Sequence, residues 1–278
     1  MQTLSLHSDS AQTSEHLVFL HANGFPPGTY ASLLNELVPL GRISTLEHRP
    51  LWQAKAPKFL DWEVYAEDAI ATLRKQADRP VWLVGHSMGG AISLLIAHKA
   101  PELVKGIVAL DPVTINSPFL AWSRLAFRLW PNKPRMIQGA LGRPHHFESH
   151  QTAFEFYRGK RAFAGIADKE LMDYVTAAHA PSDQGVTLRF SGEWEACVYR
   201  SPPSLWSKLR KLTVPVHILG GKSSYVITPA VAERLRGYSN LQIEMMDAGH
   251  LLPMEKPLET AAFVTRVIGM SSCTDQAS

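Results

Sequence analysis

The run Gly85-His86-Ser87-Met88-Gly89-Gly90 places a serine between small residues, where a strand pattern gives way to a helix pattern. Residues 80–84 are short, apolar and β-prone, and residues 91–97 have the composition of a buried helix. A turn this tight leaves no room for side chains at positions 85 and 89, and it holds the serine in a strained conformation. The sequence therefore predicts a strand–turn–helix junction that exposes the Ser87 hydroxyl at the carboxyl end of a sheet.

Short apolar strands alternate with helical patterns in the first and last parts of the chain, which predicts an α/β fold with a mostly parallel, doubly wound sheet. The predicted strands cover about residues 17–21, 42–46, 81–85, 106–110, 216–219 and 242–246. From residue 113 to residue 212 the strand pattern largely disappears, and helical pieces such as 119–130 and 169–178 dominate. We therefore predict a core made of residues 1–112 and 213–278, with a helical cap inserted as residues 113–212. Such a cap would fold over the sheet edge at Ser87.

Cysteine content and hydropathy indicate in which cellular compartment the protein works. Cys197 and Cys273 show no pairing pattern, which favours a reducing cytoplasm. The first fifteen residues lack the order of a signal peptide, and no apolar run is long enough to span a bilayer. We expect a cytoplasmic protein without stable membrane insertion.

The net charge of +3 hides an asymmetry along the chain. Residues 113–214 hold 14 Lys/Arg and 8 Asp/Glu, whereas the remaining sequence holds 14 and 17. Neither a glycine-rich phosphate loop nor a basic run with interleaved aromatic residues accompanies this excess, so we expect no nucleic-acid partner. The positive charge of this segment either favours encounters with anionic substrates or surfaces, or belongs to a solvated face without a role.

A serine hydroxyl needs a base to take its proton and a third group to orient that base. Among the twelve histidines, His250 has the best context. It ends the run Asp247-Ala248-Gly249-His250, which follows the last predicted strand and precedes the final helix. A loop at the carboxyl end of that strand can reach the Ser87 turn.

Three pieces of the sequence, in this order, resemble the α/β-hydrolase-fold superfamily: His21-Ala22-Asn23-Gly24-Phe25-Pro26, the turn at 85–90, and Gly249-His250. The resemblance is to its serine esterases and lipases with a helical cap. It implies a hydrolase that needs no cofactor or metal and cleaves a small-molecule ester or acyl substrate through an acyl-enzyme. By this resemblance Ser87 is the nucleophile and His250 the general base.

The position of the third catalytic residue, the acid that orients His250, departs from the commonest pattern of that superfamily. Many members carry it in the loop after the penultimate strand, but residues 220–229 contain no carboxylate here. Asp111 ends the strand that follows the Ser87 helix, and a subset of the family's esterases and lipases has its acid at this position. We therefore predict Asp111 as the acid, with Asp247 as the residue to test next.

Hydrolysis by this chemistry also needs hydrogen-bond donors for the developing oxyanion. The backbone N–H of Met88, at the start of the helix, is the first predicted donor. The resemblance places the second in the early loop, on Asn23 or Phe25. Alignment on Gly-x-Pro selects Phe25, and the Asn23 amide could also contribute.

Other constellations favour structural roles. His145, His146 and His150 cluster with Glu148, but adjacent histidines point in different directions, so we predict no metal site. We interpret Glu193 and Glu195 as surface acids, and we expect the apolar residues of 119–130 to pack as a wall of the cap rather than to contact lipid. Aromatic residues of the cap are candidates for an apolar substrate pocket: Trp122, Phe127, Trp130, Phe154, Phe156, Tyr157 and Trp194.

The same triad also serves thioesterases, lactonases and carbon–carbon bond hydrolases of this superfamily, and these stay as alternatives to an esterase. Non-enzyme alternatives are a ligand-binding receptor and a lipid-surface protein on the same fold. The natural substrate and the oligomeric state stay open at the level of sequence.

Overall fold

The computed structural model describes residues 2–8, 15–114 and 117–275. Its strands form one seven-stranded sheet and one small three-stranded sheet. The strands are β1 (Leu4–Ser8), β2 (Glu15–Leu20), β3 (Gly41–Leu46), β4 (Val81–His86), β5 (Val104–Leu110), β6 (His146–Phe147), β7 (His179–Ser182), β8 (Gly185–Leu188), β9 (Val216–Gly221) and β10 (Leu241–Met246).

The α-helices are α1 (Ala31–Leu37), α2 (Trp62–Gln76), α3 (Met88–Lys99), α4 (Ser117–Leu129), α5 (Arg135–Leu141), α6 (His150–Arg158), α7 (Asp168–Ala178), α8 (Gly192–Arg200), α9 (Trp206–Leu209), α10 (Pro229–Arg236), α11 (Leu252–Glu255) and α12 (Pro257–Asp275). Short 3-10 segments cover Pro27–Tyr30, Val38–Leu40, Arg49–Leu51, Pro101–Leu103 and Arg161–Phe163. Local signals match these bounds. The Asp61 side chain accepts from the Glu63 N–H at the start of α2, and Pro229 opens α10 behind the Thr228 cap.

The large sheet has the order β1-β3-β2-β4-β5-β9-β10, in which only β1 is antiparallel to its neighbour. Alternate residues of the strands face opposite sides. Leu17 and Phe19 pack with α1 and α12, whereas Val18 and Leu20 pack with α2 and α3. Helices therefore cover both faces of a mostly parallel sheet, which confirms the predicted fold class.

The segment between β5 and β9 contains helices α4 to α9, as expected, but it also contains the second sheet. The order of this sheet is β6-β8-β7, and its pairs are antiparallel. The predicted helical cap of residues 113–212 did not include this sheet. Its strands are two to four residues long, and Pro181 lies within one of them, so they carry no readable alternation of apolar residues.

Parallel strands bring their carboxyl ends to one edge of the sheet. Residues 87, 111 and 247–251 follow β4, β5 and β10 directly, so the fold alone brings Ser87, Asp111 and His250 to the same edge. Within the described ranges, no helix combines the length and the apolarity needed to cross a membrane.

Candidate active site

Ser87 stands in the sharp turn between β4 and α3. Its φ of 53° and ψ of −109° are an uncommon combination for a residue with a side chain. A Cβ at Gly85 would lie 2.5 Å from the Gly89 carbonyl, and a Cβ at Gly89 would overlap the Leu20 carbonyl oxygen. The structure thus confirms the predicted turn and gives the steric reason for its glycines.

His250 lies between Ser87 and Asp111. Its Nε2 is 2.9 Å from Ser87 Oγ, and its Nδ1 is 2.5 Å from Asp111 Oδ2. The Ser87 residue is 7% exposed and Asp111 is fully buried. The imidazole can therefore take a proton from Ser87 while the aspartate holds its other nitrogen.

The loop that lacks a carboxylate supplies hydrogen-bond donors to Asp111 instead. Ser224 Oγ donates to Asp111 Oδ2 at 2.5 Å, and the Gly221 N–H donates to Oδ1 at 3.0 Å. Together with His250 they surround the carboxylate with three donors, which suits an ionised, acceptor-only group. Asp247, the alternative acid, is exposed.

Sequence reasoning did not assign a role to Ser224, because nothing in the local sequence distinguishes it from the neighbouring Ser223. The same loop also covers the base, because the Tyr225 ring lies 5.0 Å from the His250 ring. A Cβ at Gly221 would overlap the Gly249 carbonyl oxygen, so the two loops touch through backbone.

A buried chain of hydrogen bonds connects three loops of the site. His86 Nε2 bonds the His250 carbonyl at 2.8 Å, and His86 Nδ1 bonds Tyr30 Oη at 2.9 Å. The Tyr30 hydroxyl also accepts from the Ala22 N–H at 3.2 Å. Burial, with a smaller contribution from the nearby His250, lowers the pKa of His86 to about 3. His86 is therefore neutral, and a carbonyl at Nε2 requires Nε2 to carry the proton and Nδ1 to accept.

The early loop turns back on itself. The Phe25 N–H donates to the Ala22 carbonyl at 3.2 Å, and Gly24 has a φ of +78°. Positive φ at the third position is the requirement of a type II turn, which explains the glycine. His21 is buried and bonds both the Ala22 carbonyl and the His48 N–H, so it braces the loop. Burial lowers the pKa of His21 to about 4.

This turn bears on the two predicted oxyanion donors of the early loop. The Phe25 N–H is already engaged, whereas Asn23 N–H has no acceptor among the described residues. The Asn23 side-chain amide donates to the Glu195 carbonyl at 3.2 Å and so faces the inserted segment. Met88 is the first residue of α3, where a backbone N–H has no partner within the helix.

A cavity of about 1530 Å³ opens above Ser87 and His250. Its floor comes from the sheet loops, and much of its wall comes from residues 113–202. Of the predicted aromatic pocket residues, the cavity is lined by Trp122, Phe127 and Trp130. The remaining four pack away from the described lining; Tyr157, for example, packs on Phe163 and Tyr174, and the Trp194 indole donates to the Gln53 carbonyl.

One wall of this cavity holds a buried ion pair that sequence reasoning missed. Arg143 Nη2 lies 2.9 Å from Glu195 Oε2, and their side chains are 15% and 7% exposed. Tyr199 donates to the other Glu195 oxygen at 3.1 Å. Burial raises the pKa of Glu195, and the Arg143 charge opposes this rise. The interpretation of Glu195 as a surface acid was wrong, because nothing in the local sequence shows which turn of a cap helix faces inward. Glu193 is exposed, as expected.

The histidine cluster around Glu148 does not converge. His146 and Glu148 are exposed, and His150 Nε2 bonds the His179 carbonyl. In the part of the chain that the structure describes, no group of three His, Cys, Asp or Glu side chains is placed to hold a metal ion. Cys197 is buried with a free thiol, whereas the side chain of Cys273 lies outside the described residues.

Comparison with known proteins places this geometry in a family. A model described as the alpha/beta hydrolase family matches residues 17–263. The chain belongs to the alpha/beta hydrolase family. The match spans β2 to α12 and so includes Ser87, Asp111 and His250 of this alpha/beta hydrolase.

Named relatives of this alpha/beta hydrolase include lipases. Lipase LipV of Mycobacterium tuberculosis is 27% identical over 247 residues, which cover 84% of each protein. Monoglyceride lipase of Mus musculus is 32% identical over 114 residues, 38% of each protein. The solved structure of E-2-(acetamidomethylene)succinate hydrolase superposes with a TM-score of 0.76 at 22% identity, over 92% of this chain and 91% of that one, and shows the shared fold. The relatives support a hydrolase of the ester type.

Proposed function

We propose that this hydrolase cleaves carboxylic esters of small molecules through an acyl-enzyme on Ser87. The observation that carries the proposal is the placement of the His250 ring, 2.9 Å from Ser87 Oγ and 2.5 Å from Asp111 Oδ2. The lipase relatives support an ester as the substrate class.

In the first half of the reaction, Ser87 Oγ attacks the ester carbonyl carbon while its proton moves to His250 Nε2. The tetrahedral intermediate collapses, the bond to the alcohol oxygen breaks, and His250 gives that oxygen the proton. In the second half, water attacks the acyl carbon and His250 takes its proton. The bond to Ser87 then breaks, His250 returns the proton to Oγ, and the carboxylic acid leaves. Asp111 holds the Nδ1 proton of His250 throughout.

The oxyanion of both tetrahedral intermediates would accept hydrogen bonds from the backbone N–H groups of Met88 and Asn23. Of the two candidates in the early loop we propose Asn23, because the Phe25 N–H already donates to the Ala22 carbonyl. Backbone donors held by a helix start and a tight turn need no reorganisation during the reaction.

Residues 113–212 would act as a cap that roofs the cavity and selects the substrate. This role is supported by the number of lining residues between Val113 and Pro202. The cytoplasmic location stays a prediction.

The test is turnover of p-nitrophenyl butyrate together with labelling by a fluorophosphonate probe, which reacts with an activated serine. We expect the Ser87→Ala variant to lose both signals while its circular dichroism spectrum and melting curve match those of the unchanged protein. Full turnover by Ser87→Ala would refute the proposal. Labelling without ester turnover would support an activated Ser87 and refute an ester as the substrate. Thioesters, lactones and substrates with a cleavable carbon–carbon bond would then be assayed in place of the ester.

The Asp111→Asn variant tests the acid separately. An amide cannot hold the Nδ1 proton in the same way, so we expect kcat to fall by about 10³ to 10⁴-fold with KM little changed. Asp247→Asn is the matched control, because it removes the neighbouring carboxylate from an exposed position. An equal loss in the control, or no loss in Asp111→Asn, would assign the acid elsewhere.

A further inference from the structure

Helix α4, the turn after it and the start of α5 expose several large apolar side chains. Half of the large hydrophobic residues that stand exposed in the described chain come from these fifteen positions: Trp122, Leu125, Leu129, Trp130 and Met136. Contiguous apolar surface on a soluble protein marks an interaction site more often than chance. We call the segment Trp122–Met136 the α4 surface.

The apolar residues of α4 divide between two faces. Ser123 and Phe127, four residues apart, are buried against the protein. Leu125 and Leu129, four residues apart, lie on another side and point outward, with Leu125 59% and Leu129 58% exposed. Trp122 is exposed as well, but it also lines the cavity. The expectation that these residues pack as a wall of the cap was therefore wrong for Leu125 and Leu129, which do not line the cavity.

The charge of the α4 surface has one sign. The 36 residues from Pro112 to Phe147 contain five Lys/Arg and no Asp or Glu. Arg124, Arg128, Lys133 and Arg135 are exposed beside the apolar stripe. An apolar stripe flanked by cations without acids is the composition of helices that lie on anionic lipid headgroups.

The position of the α4 surface limits which partner it can bind. Ser123, Ala126 and Phe127, on the inner side of the same helix, line the cavity that holds Ser87. A second copy of the chain would bring a like-charged surface against this one, which is unfavourable. A lipid surface matches both the charge and the apolar stripe, and it carries apolar esters to the mouth of the cavity.

We propose that the α4 surface docks on anionic lipid, with Leu125 and Leu129 in the headgroup–acyl boundary and Arg128 against lipid phosphate. The docking does not depend on turnover. Only its use, the delivery of a lipid-dissolved ester to Ser87, rests on the proposed function.

The experiment is flotation of full-length Ser87→Ala protein with phosphatidylcholine vesicles that contain or lack phosphatidylglycerol. We expect binding to the anionic vesicles, weaker binding to pure phosphatidylcholine, and release as salt concentration rises. In the same Ser87→Ala background, Leu125→Ser/Leu129→Ser should weaken binding by about 10-fold or more, because the variant loses two leucines that docking would bury in the lipid. Arg128→Gln should weaken it by about fivefold.

The matched control is Leu258→Ser, since Leu258 is 61% exposed on α12 and lies outside the α4 surface. It should bind like its parent. With Ser87 intact, Leu125→Ser/Leu129→Ser should also hydrolyse a water-soluble ester at the parent rate, because neither leucine lines the cavity. This rate and the melting curve establish that the double variant folds.

Absence of vesicle binding, equal binding to both kinds of vesicle, or equal loss with Leu258→Ser would each overturn the proposal. A concentration-dependent dimer that dissociates in Leu125→Ser/Leu129→Ser would instead assign the surface to a second copy and also overturn it. An unchanged protein that binds vesicles but hydrolyses no ester would refute the proposed function and leave the docking intact.

Discussion

The sheet core and the segment between β5 and β9 contribute differently to the same cavity. The core supplies Ser87, His250 and Asp111 from loops at one sheet edge, whereas the inserted segment supplies walls such as Phe127 and Phe163. Backbone hydrogen bonds hold the core loops, since Ser87 N–H donates to the Leu110 carbonyl and Asp111 N–H to the Leu219 carbonyl. The chemical groups are thus fixed by the sheet itself.

The inserted segment relies on side chains for its attachment. Its aromatic cluster packs on the early loop through the Phe25 ring, 5.0 Å from the Tyr174 ring. Its Arg143–Glu195 pair lies against Gly24, and its Glu195 carbonyl binds the Asn23 amide. Substitutions in the core should therefore change the rate of chemistry, whereas substitutions in the insertion should change stability and substrate choice.

Among substitutions outside the three residues Ser87, His250 and Asp111, the largest effect on kcat is expected from removing the proposed oxyanion donor, the Asn23 N–H. Proline suits the second position of a type II turn, so Asn23→Pro removes the backbone N–H with little change in the turn. We expect kcat for p-nitrophenyl butyrate to fall by about 10² to 10³-fold relative to Asn23→Ala, which loses the same side chain but keeps the N–H. Equal rates for the two variants would remove Asn23 from the oxyanion site.

A smaller effect is expected from the ion pair in the insertion. Arg143→Met leaves the buried Glu195 carboxyl without its cationic partner, which should lower the free energy of unfolding by about 3 to 5 kcal/mol. The double variant Arg143→Met/Glu195→Gln should recover part of this loss in urea denaturation. If Arg143→Met is as stable as the unchanged protein, the ion pair does not hold the insertion against the core. The distinction between a core held by backbone hydrogen bonds and an insertion held by side chains would then lose this support.

The smallest effect concerns the hydrogen-bond chain inside the core. Tyr30→Phe removes the donor to His86 Nδ1, so the imidazole that bonds the His250 carbonyl loses one of its two hydrogen bonds. We expect kcat to fall by about 5 to 10-fold with KM unchanged, as for loss of one buried hydrogen bond. Nitrogen-15 NMR of the histidine rings should show His86 protonated at Nε2 in both proteins and a changed Nδ1 signal in the variant.

Tyr65→Phe is the control for that experiment. Tyr65 is equally buried but lies on the opposite face of the sheet, and its hydroxyl has no partner among the described residues. It should leave both kcat and the His86 spectrum unchanged. A rate loss in Tyr65→Phe equal to that in Tyr30→Phe would mean that the loss comes from a general change in packing and not from the hydrogen bond to His86.

The elements of the core were predictable because each carries a local signal. Each predicted core strand begins and ends within two residues of an observed one. Apolar alternation, glycine placement and capping residues act over a few positions, so they are visible in sequence. The short strands β6 to β8 have no such signal, because pairing with distant partners forms them.

The candidate site divides in the same way. Ser87 and His250 follow from residue types next to strands. Asp111 follows from its place at the end of a strand and from the resemblance to the superfamily, once residues 220–229 are seen to lack a carboxylate. The residues that surround this triad could not be predicted from the sequence. Ser224 acquires its bond to Asp111 across 113 positions of chain, and Glu195 meets Arg143 only when two helices of the insertion pack together.

The sequence by itself determined the sheet, its helices and the three residues that the sheet edge brings together, because these depend on short-range patterns and on the direction of parallel strands. Only the tertiary structure decided which early-loop N–H is free, where the buried ion pair lies, and which face of α4 stands exposed. Those features depend on contacts between segments far apart in the chain, and no local pattern encodes which side of a cap helix turns inward.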